Sequence, residues 1–221
     1  MDDPALDPDD HRQALAGLGR LNAVSRPLAG LPRLIRQVVE RERRPVRVLD
    51  VACGGGDNLV RLGRWADRAG VAVELCGVDR SPVALADAAE LADDFDQCID
   101  WKPLDVLAGP LPAGFDVVTC HLFLHHLDEP DAVSLLGRMK AAAGSAVVVN
   151  DLRRGRLNCL AVWVGSRLLT RSPVVHFDAP ASVRAAFTAA ELAALAESAG
   201  LTGVTVRAVP PCRLRLVWER K

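Results

Sequence analysis

Residues 46–58 read VRVLDVACGGGDN, a run of β-branched and leucine side chains that breaks at Cys53 into Gly54, Gly55 and Gly56 before Asp57 and Asn58. Apolar residues up to Val51 suit a buried strand, and the abrupt glycines mark a turn that opens a helix. Glycine tolerates positive φ and lets a ligand approach the backbone, while the first turn of a helix offers N–H groups with no partner inside the helix. Such a turn holds a ligand. A turn that cradles pyrophosphate presents bare N–H groups and no nearby anion, whereas here Asp50 precedes the glycines and Asp57 follows them. Two flanking carboxylates favour a cationic ligand.

The acidic residue, short spacer and Gly-x-Gly formed by Asp50, Ala52, Cys53, Gly54 and Gly56 resemble motif I of the class I S-adenosylmethionine (SAM) dependent methyltransferases. The resemblance implies SAM as cofactor and S-adenosylhomocysteine (SAH) as product, with these residues facing the methionine end, whose amino group and sulfonium are both positive. It also implies an α/β fold: a three-layer, doubly wound, seven-stranded sheet, mostly parallel with an antiparallel C-terminal strand. Further along, residues 71–78 alternate into a second strand that ends at Asp79 and Arg80. A carboxylate there meets ribose hydroxyls in a doubly wound fold, which suits SAM and a nicotinamide cofactor alike. In the family, the Asp-apolar pair matched by Asp105 and Val106 meets the adenine. Residues 115–121, FDVVTCH, read as the fourth strand and bring Cys120 and His121 beside the methionine portion. The passage as a whole resembles the group that includes quinone-biosynthesis enzymes. Cys53 before three consecutive glycines departs from the family pattern.

Composition sets outer limits. A chain of 221 residues, half of them hydrophobic, buries a full core as one domain with embellishments. A formal charge of -1 argues against a nucleic-acid-binding surface. Six cysteines stand singly with no C-x-x-C pair, which predicts a reduced, cytoplasmic setting and no zinc site, and no metal site is expected elsewhere. The acidic first ten residues do not resemble a signal peptide, and no apolar run reaches spanning length, so no stable membrane insertion is expected. A small-molecule partner and a monomer or homodimer follow.

Residues 1–45 read as an acidic tail and two helices that either pad the sheet or cap the cofactor site, and residues 46–221 as the methyltransferase domain. Within the latter, Ser81 and Pro82 start a helix, and Thr188 with Glu191 forms a capping box before another. Residues 155–187 are an insertion that the minimal fold does not need. Leu157, Leu160, Val164 and Leu168 stand there at helical spacing with Trp163, among several arginines; residues 171–178 read as an extended loop. Three readings stay open for the helix: a cover over a lipophilic substrate, completion of the core, or contact with a membrane surface.

His125 and His126, just past the fourth strand, are candidates for a general base, because neutral imidazole accepts protons near neutral pH. Two adjacent histidines do not both face one pocket, and of the two His126 is preferred; His176 is a weaker rival. Ligands in open α/β sheets bind outside the carboxyl ends of strands, which makes Asp151 and Arg154 candidates for the substrate side, and Trp163 and His176 join them if the insertion covers the site. The predicted activity is methyl transfer to a small lipophilic or aromatic acceptor, most simply a hydroxyl of a phenolic, polyketide-like or quinone-precursor compound. Alternatives are methylation at carbon on a similar ring, or a non-catalytic SAM-binding scaffold. A nicotinamide-dependent oxidoreductase ranks last, since Leu59 stands where its third glycine belongs.

Overall fold

The computed structural model describes residues 28–170 and 172–220. The acidic tail and the first of the two N-terminal helices expected from the sequence fall almost wholly outside them. The second helix is α1 (Leu31–Glu42), followed by β1 (Val46–Val51), α2 (Asp57–Ala69), β2 (Val73–Asp79), α3 (Pro82–Asp94), β3 (Ile99–Pro103) and β4 (Phe115–His121). A single 3-10 turn (Leu124–His126) leads to α4 (Glu129–Ala142) and β5 (Ala143–Leu152); α5 (Arg156–Leu169), α6 (Pro173–Ala185), α7 (Ala189–Ser198), β6 (Thr205–Val209) and β7 (Arg213–Glu219) complete the chain.

Local chemistry fixes several of these ends. Ser81 Oγ accepts from the Ala84 N–H at the start of α3, with Pro82 preset for the first turn. Thr188 and Glu191 make both bonds of a capping box on α7. Gly70, at φ 62°, closes α2.

The seven strands lie in the order β3-β2-β1-β4-β5-β7-β6. Strands β1 to β5 are mutually parallel, and β7 runs antiparallel to both β5 and β6. Strand order reverses between β1 and β4, so their carboxyl ends flank the crevice where such sheets receive ligands. Alternation sends Val46, Val48 and Asp50 toward one layer and Leu49 and Val51 toward the other. The first layer is α1, α2 and α3, packed on Val46, Val48, Val117 and Val148. The second is α4 and α7, packed on Leu49, Val51, Val118, Cys120 and Val149. Helix α1 is tied down at its end by a two-pronged bond from Arg44 to Asp116 at 2.6 and 2.9 Å, and Arg41 reaches Ser145 Oγ at 2.6 Å.

Residues 171–178, read above as an extended loop, are corrected by the structure: from Pro173 onward they form the first part of α6. Val175, Ala179 and Val183, four residues apart, are buried against α5 and its surroundings. Pro173 sits in the first turn, where its missing N–H costs nothing. The packing of one face outweighs the interior Pro180.

Candidate active site

At the carboxyl end of β1, Asp50 lies level with Gly77 of β2 and Thr119 of β4. It is buried, and Thr119 Oγ1 donates to its Oδ1 at 2.7 Å. Oδ2 is buried with no hydrogen-bond partner among the described residues. Burial, with the charge of Asp79 adding to it, raises the carboxyl to about 7 despite the threonine bond. His121 Nε2 stands 3.9 Å from Asp50 Oδ1. Burial and the nearby Arg213 cation bring His121 down to about 4, so its ring is neutral at pH 7.

The turn after β1 departs from ordinary backbone at once. Ala52 takes φ 55°, and Gly54 and Gly56 follow at 53° and 76°. A Cβ placed on Gly54 or Gly55 would meet nothing within 4 Å, whereas one on Gly56 would lie 2.6 Å from Trp101. The first two glycines therefore border open space, and the third makes room for the Trp101 ring. Asp79 Oδ2 accepts from Gly54 N at 2.9 Å, and its Oδ1 accepts from Ser81 N at 2.9 Å, which ties the two ligand-facing turns together. A buried acceptor lacking a donor, open space over two glycines and a second carboxylate fit a ligand with a cationic amino group and a ribose, as SAM has.

The remaining residues expected on the cofactor side spread more widely. Arg80 is exposed beside Asp79. Asp105 is exposed, with Oδ1 accepting from Leu107 N at 2.9 Å, while the Val106 side chain is buried in the core. Arg138 fastens this loop from α4 through the carbonyls of Val106 and Gly109. Cys53 is buried near Gly77, and Cys120 points into the α4 and α7 layer. Burial pushes both thiols well up, so neither is a thiolate at neutral pH. Only the backbone of Cys120 is left to meet a ligand.

A second polar cluster forms where β4 gives way to the 3-10 turn. Leu122 takes φ 56° and its N–H donates to the Asn150 carbonyl at 2.9 Å, which swings residues 124–126 over the end of β5. There His125 Nδ1 meets Asp151 Oδ1 at 2.6 Å, and the His125 N–H donates to Asp151 Oδ2 at 3.1 Å. Both side chains are buried. Burial opposes ionisation of Asp151, yet the His125 ring and the N–H groups of Leu152 and His125 prevail and hold it below the usual carboxylate value. An ionised Asp151 fixes the tautomer with the proton on Nδ1, leaving the Nε2 lone pair to accept. His126 is exposed, its ring centroid 4.1 Å from that of His125.

The other residues expected on the substrate side have partners of their own. Arg154 pairs with Glu191. His176 Nε2 meets the Thr170 carbonyl at 2.9 Å, and Trp163 lies on an exposed face of α5 beneath Arg167, 3.9 Å from its ring centroid. Sequence reasoning missed Thr119 and Arg213. Arg213 is buried at the start of β7 opposite Leu152, its value lowered by burial to about 10 and supported by Asp151, so it remains a cation. Only the pairing of β5 with β7 brings it to this end of the sheet. Among the described residues no group of three or more His, Cys, Asp or Glu side chains is arranged to hold a metal. Two cavities, of about 460 and 280 Å³, lie elsewhere, between α2 and α3 and between α1 and the β6–β7 edge.

Comparison with known proteins agrees with this arrangement. Residues 48–144 match the family model for a methyltransferase domain. The ubiquinone biosynthesis O-methyltransferase of Paraburkholderia phymatum is 28% identical over 169 residues, which is 74% of this chain and 67% of that protein. Its counterpart in Thiobacillus denitrificans is 30% identical over 167 residues, 72% of this chain and 68% of that protein. The matched part thus spans about two thirds of these relatives, and 52% of the one from Azotobacter vinelandii. The plantazolicin methyltransferase BpumL, solved with a triazolic desmethylPZN analog and SAH, shares the fold with a TM-score of 0.73 at 16% identity, covering 97% of this chain and 92% of that one. With motif I seated at the switch point of a seven-stranded sheet and relatives that match most of its length, the chain belongs to the class I SAM-dependent methyltransferases, in the group that includes the quinone-biosynthesis enzymes.

Proposed function

We propose that the protein transfers the methyl group of SAM to a hydroxyl oxygen on an aromatic, polyketide-like or quinone-precursor acceptor. The observation that carries this reading is the buried His125–Asp151 pair, 2.6 Å apart, next to the strand ends that hold Asp50 and Thr119. When bound, SAM supplies a methyl group already activated on a positive sulfur. The protein's part is to align the acceptor, exclude water and take a proton. Asp50 would hold the amino end of the cofactor, Asp79 the ribose hydroxyls and Asp105 the adenine amine. His125 Nε2 would accept the hydroxyl proton while Asp151 steadies the resulting imidazolium, as an orienting carboxylate does for a base. Asp151 thus favours His125 over His126, reversing the preference drawn from sequence.

The lipophilic character of the acceptor is supported by α5 and by the curated relatives, whose names place them in ubiquinone biosynthesis. Residues 155–187 would form the acceptor side of a domain spanning 46–221, with residues 1–45 as its cap. In support, Arg215 donates to the Ala29 carbonyl, which holds the entering chain to the β7 side of the strand ends. Six free cysteines suit action in the cytoplasm, as a monomer or homodimer.

The test is methyl transfer from labelled SAM to a panel of phenols. His125→Gln and Asp151→Asn should each lower kcat by about 10²–10⁴-fold while SAH binding persists. His126→Ala should stay near the parent rate. Undiminished turnover by His125→Gln would remove the base from the scheme.

A further inference from the structure

The outer side of α2 borders a cleft of about 460 Å³ for which the proposed reaction has no use. The cleft runs between α2 and α3, and Arg61, Arg64 and Arg68 of α2 line it together with Leu91 and Phe95. Neither the motif I glycines nor the His125–Asp151 pair borders it. Its volume is that of a small-molecule site. Positions 61, 64 and 68 stand three and four residues apart, so the three guanidinium groups share one face of the helix over about 10 Å of its length. Arg61 and Arg64 are half-buried and Arg68 is exposed.

Charge and shape identify the occupant. Among the described residues, none of these three arginines makes an ion pair or a hydrogen bond to a carboxylate. The acids of α3, Asp87, Glu90, Asp93 and Asp94, do not line the cleft; Asp57, at the start of α2, does. Like charges at these spacings repel, so the empty helix carries a cost that a bound anion removes. Guanidinium groups present planar forks of N–H donors, which match the oxygens of a phosphate. The Arg64 guanidinium lies 4.0 Å from the centroid of the Phe95 ring. Stacking occupies its flat face and leaves its in-plane N–H groups to donate. Phe95 is itself 40% exposed, so part of its surface is open to a planar ligand.

We propose that the cleft between α2 and α3 is a second ligand site, separate from the cofactor site, that binds a phosphomonoester carried on a planar ring, as in a nucleoside monophosphate. The arginines hold the phosphate, and Phe95 and Leu91 receive the ring. Helix α2 opens directly from the motif I turn, with Asp57 following Gly56, so the occupant abuts the cofactor turn without sharing its glycines. Binding depends on neither methyl transfer nor an acceptor.

The experiment is titration calorimetry of AMP into the full chain saturated with SAH, which fills the cofactor site and keeps the adenine of AMP out of it. Phenyl phosphate, adenosine and inorganic phosphate are titrated alongside. AMP and phenyl phosphate should bind, less tightly as salt is added, and adenosine and inorganic phosphate should each bind at least about tenfold more weakly than AMP. Arg64→Gln and Arg68→Gln should each lose about 5–10-fold in AMP affinity, and the doubly substituted protein roughly 30–100-fold. Phe95→Ala should lose about fivefold for AMP and little for inorganic phosphate. Arg36→Gln, which removes the same charge from α1, should leave AMP affinity unchanged. Unchanged circular dichroism and SAH binding will verify that each variant folds. Absence of AMP binding to the SAH-loaded protein, equal AMP affinity in the doubly substituted protein, or an equal loss in Arg36→Gln would overturn the proposal. So would inorganic phosphate binding as tightly as AMP. Because the titration needs no turnover, its failure leaves the methyl-transfer reading standing, and the converse holds.

Discussion

Asp50 is held in a state that its ligand should relieve. With one oxygen bonded to Thr119 and the other buried without a donor, its carboxyl rises to about 7, chiefly through burial. A carboxyl raised on folding binds its proton more tightly in the folded chain, so this group favours folding at acid pH and its contribution declines as pH rises from about 4 to 7. Asp50→Asn should therefore raise the melting temperature of the ligand-free protein at pH 8, less at pH 5, and change it little below about pH 4. The same substitution should weaken cofactor binding, a conflict between stability and function often met at sites. His121 acts in the opposite direction. Lowered to about 4 by burial, it is neutral when folded, and its contribution is lost as pH falls from 6.5 toward 4. Asp50 was legible because the acid and the glycines that identify it are neighbours in sequence. Thr119 was not, since its role depends on β4 lying beside β1, 69 residues away.

Two glycines of one turn serve different ends, and substitution separates them. Gly54 and Gly56 both have positive φ, which costs an alanine about 1–2 kcal/mol. At Gly56 a methyl group would also strike Trp101 and Ala88, adding about 1–3 kcal/mol of overpacking. Gly54→Ala should thus remain folded in denaturant titration but lose cofactor affinity, whereas Gly56→Ala should fail first in stability. At the far end of the sheet, Asp116 accepts both prongs of Arg44 and the Arg47 N–H at 2.9 Å. Asp116→Ala should lower the urea midpoint of unfolding, because it removes a buried carboxylate that accepts three hydrogen bonds. The basic run around Arg44 reads in sequence as a solvated helix end; only the fold reveals its anchor. Helix α6 escaped the reading for a related reason. Pro173, Val174 and Val175 have the local preferences of extended chain, while the four-residue spacing of Val175, Ala179 and Val183 matters only once α5 lies alongside.

At the scale of the molecule, the sheet order turns a short motif into a site. The reversal between β1 and β4 brings the motif I turn, the His121 end of β4 and, through β5, the His125–Asp151 pair to one rim. The first, second and fourth strands were legible from their apolar runs and the turn residues that end them, and the seven-stranded order from the resemblance that motif I carries. The acceptor side was legible only in part: the helical spacing of Leu157, Leu160, Val164 and Leu168 predicts α5, whereas the face that packs on α6 is set by the fold. A ligand specific to the folded state adds to its stability by mass action. SAH at a hundredfold excess over its Kd should add about 2.7 kcal/mol. For a chain of this size that is a rise of roughly 5–10 °C in Tm, measured by calorimetric scan. The most direct test of the cofactor site is titration calorimetry of SAH and of NADH into the parent protein and Asp50→Asn at pH 8. The account predicts one SAH per chain, no NADH binding, and affinity for SAH reduced roughly 10–100-fold in the variant, as for loss of a charge-assisted hydrogen bond. Binding of NADH in place of SAH, or SAH affinity indifferent to Asp50, would contradict it.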